Sequence, residues 1–298
     1  MSHDHHHHIP SNSRVLFWSF LFIFSFMIIE VVGGFLFNSL ALLSDAGHML
    51  SDAAALGLSL LAFKIGEKSV SNSKTYGYRR FEIIAAFING LTLIVISLFI
   101  SYEAINRFIE PPEVNAGMMV VASIGLVVNI IVAFMLMRGD SKENLNIRSA
   151  LLHVFGDLLG SVGAIAAGLL ILLFDLNIAD PIASMIVAIL IAVSGFRVTR
   201  DALHILMEGK PDTIKVEQVE TALINLDGVT GVHDLHIWSI TSEFPALSCH
   251  IVVEEDIERD QLLQEAIRLL EQQFNITHAT IQVEGLYSRL YNECQPCE

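Results

Sequence analysis

Leu43-Ser44-Asp45-Ala46-Gly47-His48-Met49-Leu50-Ser51-Asp52-Ala53 and Leu151-Leu152-His153-Val154-Phe155-Gly156-Asp157-Leu158 decide how this chain is read. Each stretch carries a His and an Asp four positions apart inside an apolar segment of membrane length. On a helix that spacing stacks the two side chains one turn apart on one face. Ionisable groups at membrane depth are expensive, and they face a polar pathway or one another. If the two helices pack together, His48, Asp52, His153 and Asp157 converge as two imidazoles and two carboxylates. That is a tetrahedral N2O2 donor set suited to zinc or a similar divalent ion. A hydrogen-bonded strut would account for one such pair, but not for two pairs with the same spacing in separate segments. The pattern points to a protein that moves metal across a membrane.

The composition agrees. The chain has 298 residues, 53% of them hydrophobic and only 16% charged, against roughly 25% charged in a soluble domain. A net charge of -15 excludes nucleic acid as an expected partner and suits a protein that attracts cations. The three cysteines are too few for a disulfide framework.

Six apolar segments of roughly 20 residues or more fit a bilayer. They fall at 14–37, 41–63, 81–108, 115–137, 147–174 and 179–201. Lys64, Lys68, Lys74, Arg79 and Arg80 gather between the second and third segments. Arg138, Lys142 and Arg148 gather between the fourth and fifth. The positive-inside rule puts these loops, and with them both termini, in the cytoplasm. No cleavable leader is expected, because the first apolar stretch is long enough to span and follows a His-rich lead.

The pattern changes after Gly209-Lys210-Pro211. Helical periodicity over 213–226 is followed by alternation over 232–241 and 246–254, with Pro245 expected in the turn between them. An amphipathic stretch over 258–274 and a last strand over 278–284 complete the series. The order α-β-β-α-β predicts a small ferredoxin-like α+β domain. The expected fold is therefore an α-helical membrane protein with six transmembrane helices and a C-terminal cytoplasmic α+β domain. The divisions are a His-rich tail (1–13), the membrane part (14–209), the α+β part (210–287) and a short tail (288–298). A domain this small gains stability by pairing with a second copy.

These residues carry a family resemblance. Ser44-Asp45-Ala46-Gly47-His48-Met49-Leu50-Ser51-Asp52 resembles the second-helix signature of the cation diffusion facilitator family. Thr75-Tyr76-Gly77-Tyr78-Arg79-Arg80-Phe81-Glu82 resembles the approach to its third helix. His153-Val154-Phe155-Gly156-Asp157 resembles its fifth-helix signature, and His233-Asp234-Leu235-His236-Ile237-Trp238 the first strand of its cytoplasmic domain. The likeness covers 14–286. It is similar in particular to the bacterial zinc/cobalt/cadmium efflux branch and to vesicular zinc transporters.

The resemblance implies a homodimeric, proton-coupled exporter of Zn2+ with a metallochaperone-like cytoplasmic domain, in a bacterial inner membrane. His at the first ligand position of the second helix implies zinc preference. His233, His250 and Glu284 lie on three different predicted strands and match positions the family uses for a regulatory zinc site. Alternation places His236 on the opposite sheet face from His233. The loop before the third helix has no His or Asp, and Arg79 stands where relatives commonly have His, so no metal is expected there. Arg80 and Glu82 resemble interlocking charges, with Asp201 or Glu208 as candidate partners.

Other residues have weaker readings. Cys294 and Cys297 have zinc-ligand spacing but supply only two ligands; His3, His5, His6, His7 and His8 could complete the set. Glu30, Asn89 and Asn129 could each line an ion route or make an interhelical hydrogen bond. A metal site that must lose protons to gain metal, open alternately to two sides, makes an antiporter. Three rivals remain: a metal sensor that transports nothing, an intramembrane metalloenzyme, and a passive channel. The second lacks His-Glu-x-x-His, and four protein ligands leave no open position for a catalytic water.

Overall fold

The computed structural model describes residues 9–36, 40–66, 68, 70–109, 116–139, 144–174, 176 and 178–286, without the side chains at 9–12, 33, 34, 40–48, 51, 116–122 and 164. The chain divides into two compact units, Met1–Leu203 and His204–Glu298.

Among the described residues, the first unit has six long helices: α1 (Ile9–Leu36), α2 (Leu40–Gly66), α3 (Phe81–Ile109), α4 (Ala116–Leu136), α5 (Leu145–Phe174) and α6 (Ala179–Leu206, which runs into the second unit). Their starts and ends lie close to the expected apolar segments. Among the described residues, four stretches, in α1, α3, α5 and α6, are long and apolar enough to cross a membrane. Much of their surface is large and apolar yet exposed, as in Ile29, Val95, Leu98, Phe99 and Leu173. Lipid covers such a surface at no cost, whereas water does not.

Leu16, Ile23 and Met27 of α1, Met49, Ala53 and Leu56 of α2, Val128 and Val132 of α4, and Ile147 and Val154 of α5 share one core. A second, smaller contact joins α3 and α6 through Leu93, Val187 and Ile191. Glycine sets the spacing there. A Cβ on Gly90 would lie 2.9 Å from the Thr199 nitrogen, and one on Gly195 would lie 2.9 Å from the Gly90 carbonyl oxygen. The two backbones touch because neither position carries a side chain.

Polar ties close both ends of the first unit. At one end Arg107 Nη1 sits 2.9 Å from Asp180 Oδ2, joining the end of α3 to the start of α6. At the other, Arg148 Nη1 sits 2.9 Å from Asp201 Oδ2, joining α5 to α6. Asn144 caps α5: its Oδ1 accepts from the backbone N–H of Asn146 and of Ile147, at 3.0 and 3.1 Å. Its Nδ2 donates to Glu82 at the start of α3. Asp201 thus takes Arg148, a partner other than the Arg80 and Glu82 considered from sequence.

The second unit contains α7 (Val216–Ile224), β1 (Val229–Thr241), β2 (Phe244–Val253), α8 (Arg259–Phe274) and β3 (His278–Gly285). The sheet order is β1-β2-β3, with β1 antiparallel and β3 parallel to β2. Pro245, expected in the turn, is instead the second residue of β2. It pairs with Ser239, one residue before β3 begins its own pairing at Ala246, so its missing N–H falls where the strand has one neighbour. Leu247, Cys249, Ile251 and Val253 face α7 and α8, packing on Val219, Leu223, Leu262, Ala266 and Leu270. Alternate residues of β2 and β3 therefore lie on the other face.

Cys249 is 1% exposed, and burial pushes its thiol up from its ordinary 9.0 to about 12. The unfolded thiol ionises first, so this group's contribution to stability is whole below pH 9 and falls away as pH climbs towards 12. In a chain with Cys294 and Cys297 changed to Ser, maleimide at pH 8 should label Cys249 only in denaturant; labelling of the folded protein would contradict the packing.

Candidate functional site

In the first unit α2 and α5 pack so that Asp52 and His153 meet. His153 Nε2 lies 2.8 Å from Asp52 Oδ1, and both residues are buried. Asp157 Oδ2 lies 3.8 Å from the same nitrogen, one turn along α5. One ligand atom from each of the three falls within 4.8 Å of the others. A tetrahedral zinc with bonds near 2.0–2.2 Å spans ligand-to-ligand edges of roughly 3.3 Å. Small side-chain shifts would therefore bring these atoms onto one ion. A hydrogen bond between two such atoms needs one proton between His153 Nε2 and Asp52 Oδ1. Metal binding would require that proton to leave.

The fourth expected ligand, His48, is in α2 one turn before Asp52, but its side chain lies outside the described residues. Glu30 and Asn129 are buried in α1 and α4 at 4% and 3% exposure. Asn89 makes an interhelical bond, its Nδ2 donating to Ser59 Oγ at 3.0 Å. The sequence reading did not single out Ser59 or Asn146. Asn146 lies two turns before His153, and its Nδ2 donates to the Ser59 carbonyl at 3.0 Å. Their signal was available: a Ser and an Asn each seven positions from a ligand, on the same helix faces.

The second unit places His233, His250 and Glu284 together on the open face of the sheet, away from the helices. His233 pairs with His250 across β1 and β2, with ring centroids 4.9 Å apart. Glu284 is 3% exposed; its Oε1 lies 2.9 Å from His250 Nδ1 and its Oε2 3.5 Å from His233 Nε2. Glu284 Oε2 is buried without a hydrogen bond. An acceptor left in that state beside two imidazoles fits a cation's position.

The β1–β2 register shifts at three points, between Val229 and Gly231, His233 and His236, and Ser239 and Thr241, and the middle one reorders the cluster. His233 pairs with His250 and His236 with Ser248, three steps on β1 against two on β2. The extra residue is a bulge at Asp234, whose φ is +51. His236 therefore shares the open face with His233, not the opposite face. Val232, Leu235 and Ile237 turn to the core. Asp234 bridges the set, with Oδ1 2.9 Å from His236 Nε2 and Oδ2 3.8 Å from His250 Nε2. The sequence reading gave it no role. Cys294, Cys297 and the N-terminal histidines His3 and His5 to His8 lie outside the described residues.

A bundle of long apolar helices with His and Asp converging between two of them, followed by an α+β unit with its own His/Glu cluster, defines a membrane protein built around cation ligands. The model of the cation efflux transmembrane domain matches residues 16–207, and that of the cation efflux protein cytoplasmic domain matches 211–286. The chain belongs to the cation efflux family, the cation diffusion facilitators.

A Bacillus subtilis protein named "Cadmium, cobalt and zinc/H(+)-K(+) antiporter" is 54% identical over 94% of this chain and 91% of its own length. The "Zinc transporter ZitB" of Escherichia coli is 41% identical over 95% of this chain and 93% of its own. These relatives are named as transporters, not enzymes. A solved structure described as "Metal-bound C-terminal domain of the CzcD transporter from Cuprividus metallidurans" is 36% identical, with a TM-score of 0.23, covering 24% of this chain and 99% of its own.

Asp234 tolerates its left-handed backbone because a short polar side chain suits that region. Asp234→Val should cost about 1–2 kcal/mol of stability in the second unit, whereas Asp234→Gly should not. Unfolding of the two full-length variants, followed by Cys249 labelling, would read the difference.

Proposed function

We propose that this protein exports divalent zinc from the cytoplasm in exchange for monovalent cations, with protons and potassium as counter-ions. Cobalt and cadmium are candidate further cargo. The observation that carries the reading is the meeting of Asp52, His153 and Asp157 between α2 and α5. His48, one turn from Asp52, is assigned as the fourth ligand. The names of the Bacillus relatives support the counter-ions and the wider cargo.

The chemistry follows from charge. Two carboxylates balance a divalent ion, so the loaded site is far less costly to bury than an empty one with both carboxylates ionised. When the metal leaves, positive charge must replace it. The His153–Asp52 hydrogen bond already keeps one proton between atoms that would face the metal. Release to the far side with proton uptake, followed by return and proton loss, is an antiport cycle. The basic loops around Lys68 and Arg79 favour cytoplasmic placement of that end, and so of both termini. In proteoliposomes, zinc uptake should follow an acid interior and vanish in Asp157→Ala. Zinc flux indifferent to the pH gradient would sink the antiport reading, and undiminished flux in the variant would sink the site.

The second unit is assigned a regulatory zinc, held by His233, His250 and Glu284, with Asp234 orienting His250. A homodimer is proposed, with this zinc tightening the pairing of two such units. In an Asp157→Ala background, Glu284→Ala should remove one zinc-binding event, and Asp234→Ala should weaken it about 10-fold. Unchanged zinc titrations and an unchanged dimer would remove this assignment.

A further inference from the structure

Among the described residues, two buried oxygens at the contact between α2 and α5 have no hydrogen bond: Asp157 Oδ2 among the metal ligands, and Asn146 Oδ1 away from them. Asn146 is 0% exposed, its Nδ2 donates to the Ser59 carbonyl, and its Oδ1 is buried with no hydrogen-bond partner. The amide cannot be turned over, because the Ser59 carbonyl only accepts and a flip would set two oxygens face to face. Ser59 is also 0% exposed, and its Oγ accepts from Asn89 Nδ2. Three helices thus meet at Ser59, with one amide on its carbonyl and another on its hydroxyl, and none of these groups carries a formal charge. A buried carbonyl oxygen kept without a donor marks a place where something outside the chain supplies the partner.

The donor type narrows what that is. Zinc takes imidazole, thiolate and carboxylate. Uncharged carbonyl and hydroxyl oxygens replace the hydration shell of a monovalent cation, as carbonyl oxygens do in potassium filters. Location narrows it further. Ser59 follows Asp52 by seven positions and Asn146 precedes His153 by seven. Seven positions are two turns, so the pairs share helix faces about 10.5 Å apart along the axes. At that distance a cation partly offsets the carboxylates that departing metal uncovers. The cap residue Asn144, bonded to Asn146 N and to Glu82, stands on the side away from the metal ligands.

We propose that Asn146, Ser59 and Asn89 form the binding station for the potassium ion exchanged against the metal. This rests on the antiport reading above. The test uses the full chain in proteoliposomes at a fixed pH gradient and clamped membrane potential, with interior potassium varied against N-methylglucamine. Asn146→Ala and Ser59→Ala should each raise the half-saturating potassium concentration about tenfold. Both should retain wild-type zinc affinity and wild-type zinc flux in the absence of potassium, which also shows that they fold.

An unchanged potassium dependence in both variants would overturn the proposal and leave a water molecule as the partner of Asn146. A wild-type zinc flux that follows pH but ignores potassium would overturn it as well, leaving proton antiport intact. Failure of the antiport reading looks different: wild type carries no zinc, or Asp157→Ala carries it undiminished.

Discussion

Everything in the helical unit depends on one electrostatic constraint: carboxylates and imidazole buried among apolar helices must be compensated at every stage. Asp52 and His153 compensate each other at 2.8 Å, with Asp157 within reach of the same nitrogen. That contact requires α2 and α5 to stay in register over their length. Further polar bonds link these helices and α3 away from the metal ligands: Asn146 on the Ser59 carbonyl, Asn89 on the Ser59 hydroxyl, and Asn144 on Glu82. In an apolar surround such bonds have directionality that dispersion contacts lack. The α3–α6 pair is held differently, by glycine backbones in contact and by the Arg107–Asp180 ion pair at one end.

The second unit meets a related problem with other means. Its cluster lies on an open sheet face, where water can reach part of each imidazole, but Glu284 is buried beneath them. The helices cover the opposite face with Leu223, Leu262 and Leu270. One face of a three-stranded sheet thus supplies the stability and the other the chemistry. Burying Cys249 on the core side keeps a reactive thiol away from the ligands on the open side.

The helices were legible because membrane-length apolar runs have few alternatives, and the α-β-β-α-β order because periodicity switches between 3.6 and 2. The pairing of Asp52 with His153 was legible because identical spacings on two helices imply facing partners. For Asn146 and Ser59 only the helix face was legible, from their seven-residue spacing to a ligand, because a lone polar residue in an apolar segment does not say which helix it meets. Pro245 and His236 were misplaced for a shared reason. Strand reasoning assumes unbroken alternation and a turn at proline. Pro245 instead sits where β2 has one neighbour, and a bulge at Asp234 breaks the alternation. Asp tolerates a positive φ, but many Asp residues never adopt one.

The bulge has a consequence for how this domain can change over time. Because Asp234 adds one step to β1, removing any single residue between His233 and His236 would restore simple pleating. One of two faces must then invert: either Leu235 and Ile237 leave the core, or the two histidines separate. Substitutions at these positions can be absorbed singly, but a change of length cannot. The segment His233-Asp234-Leu235-His236 is thus under a constraint of spacing that is stricter than its constraint of chemistry.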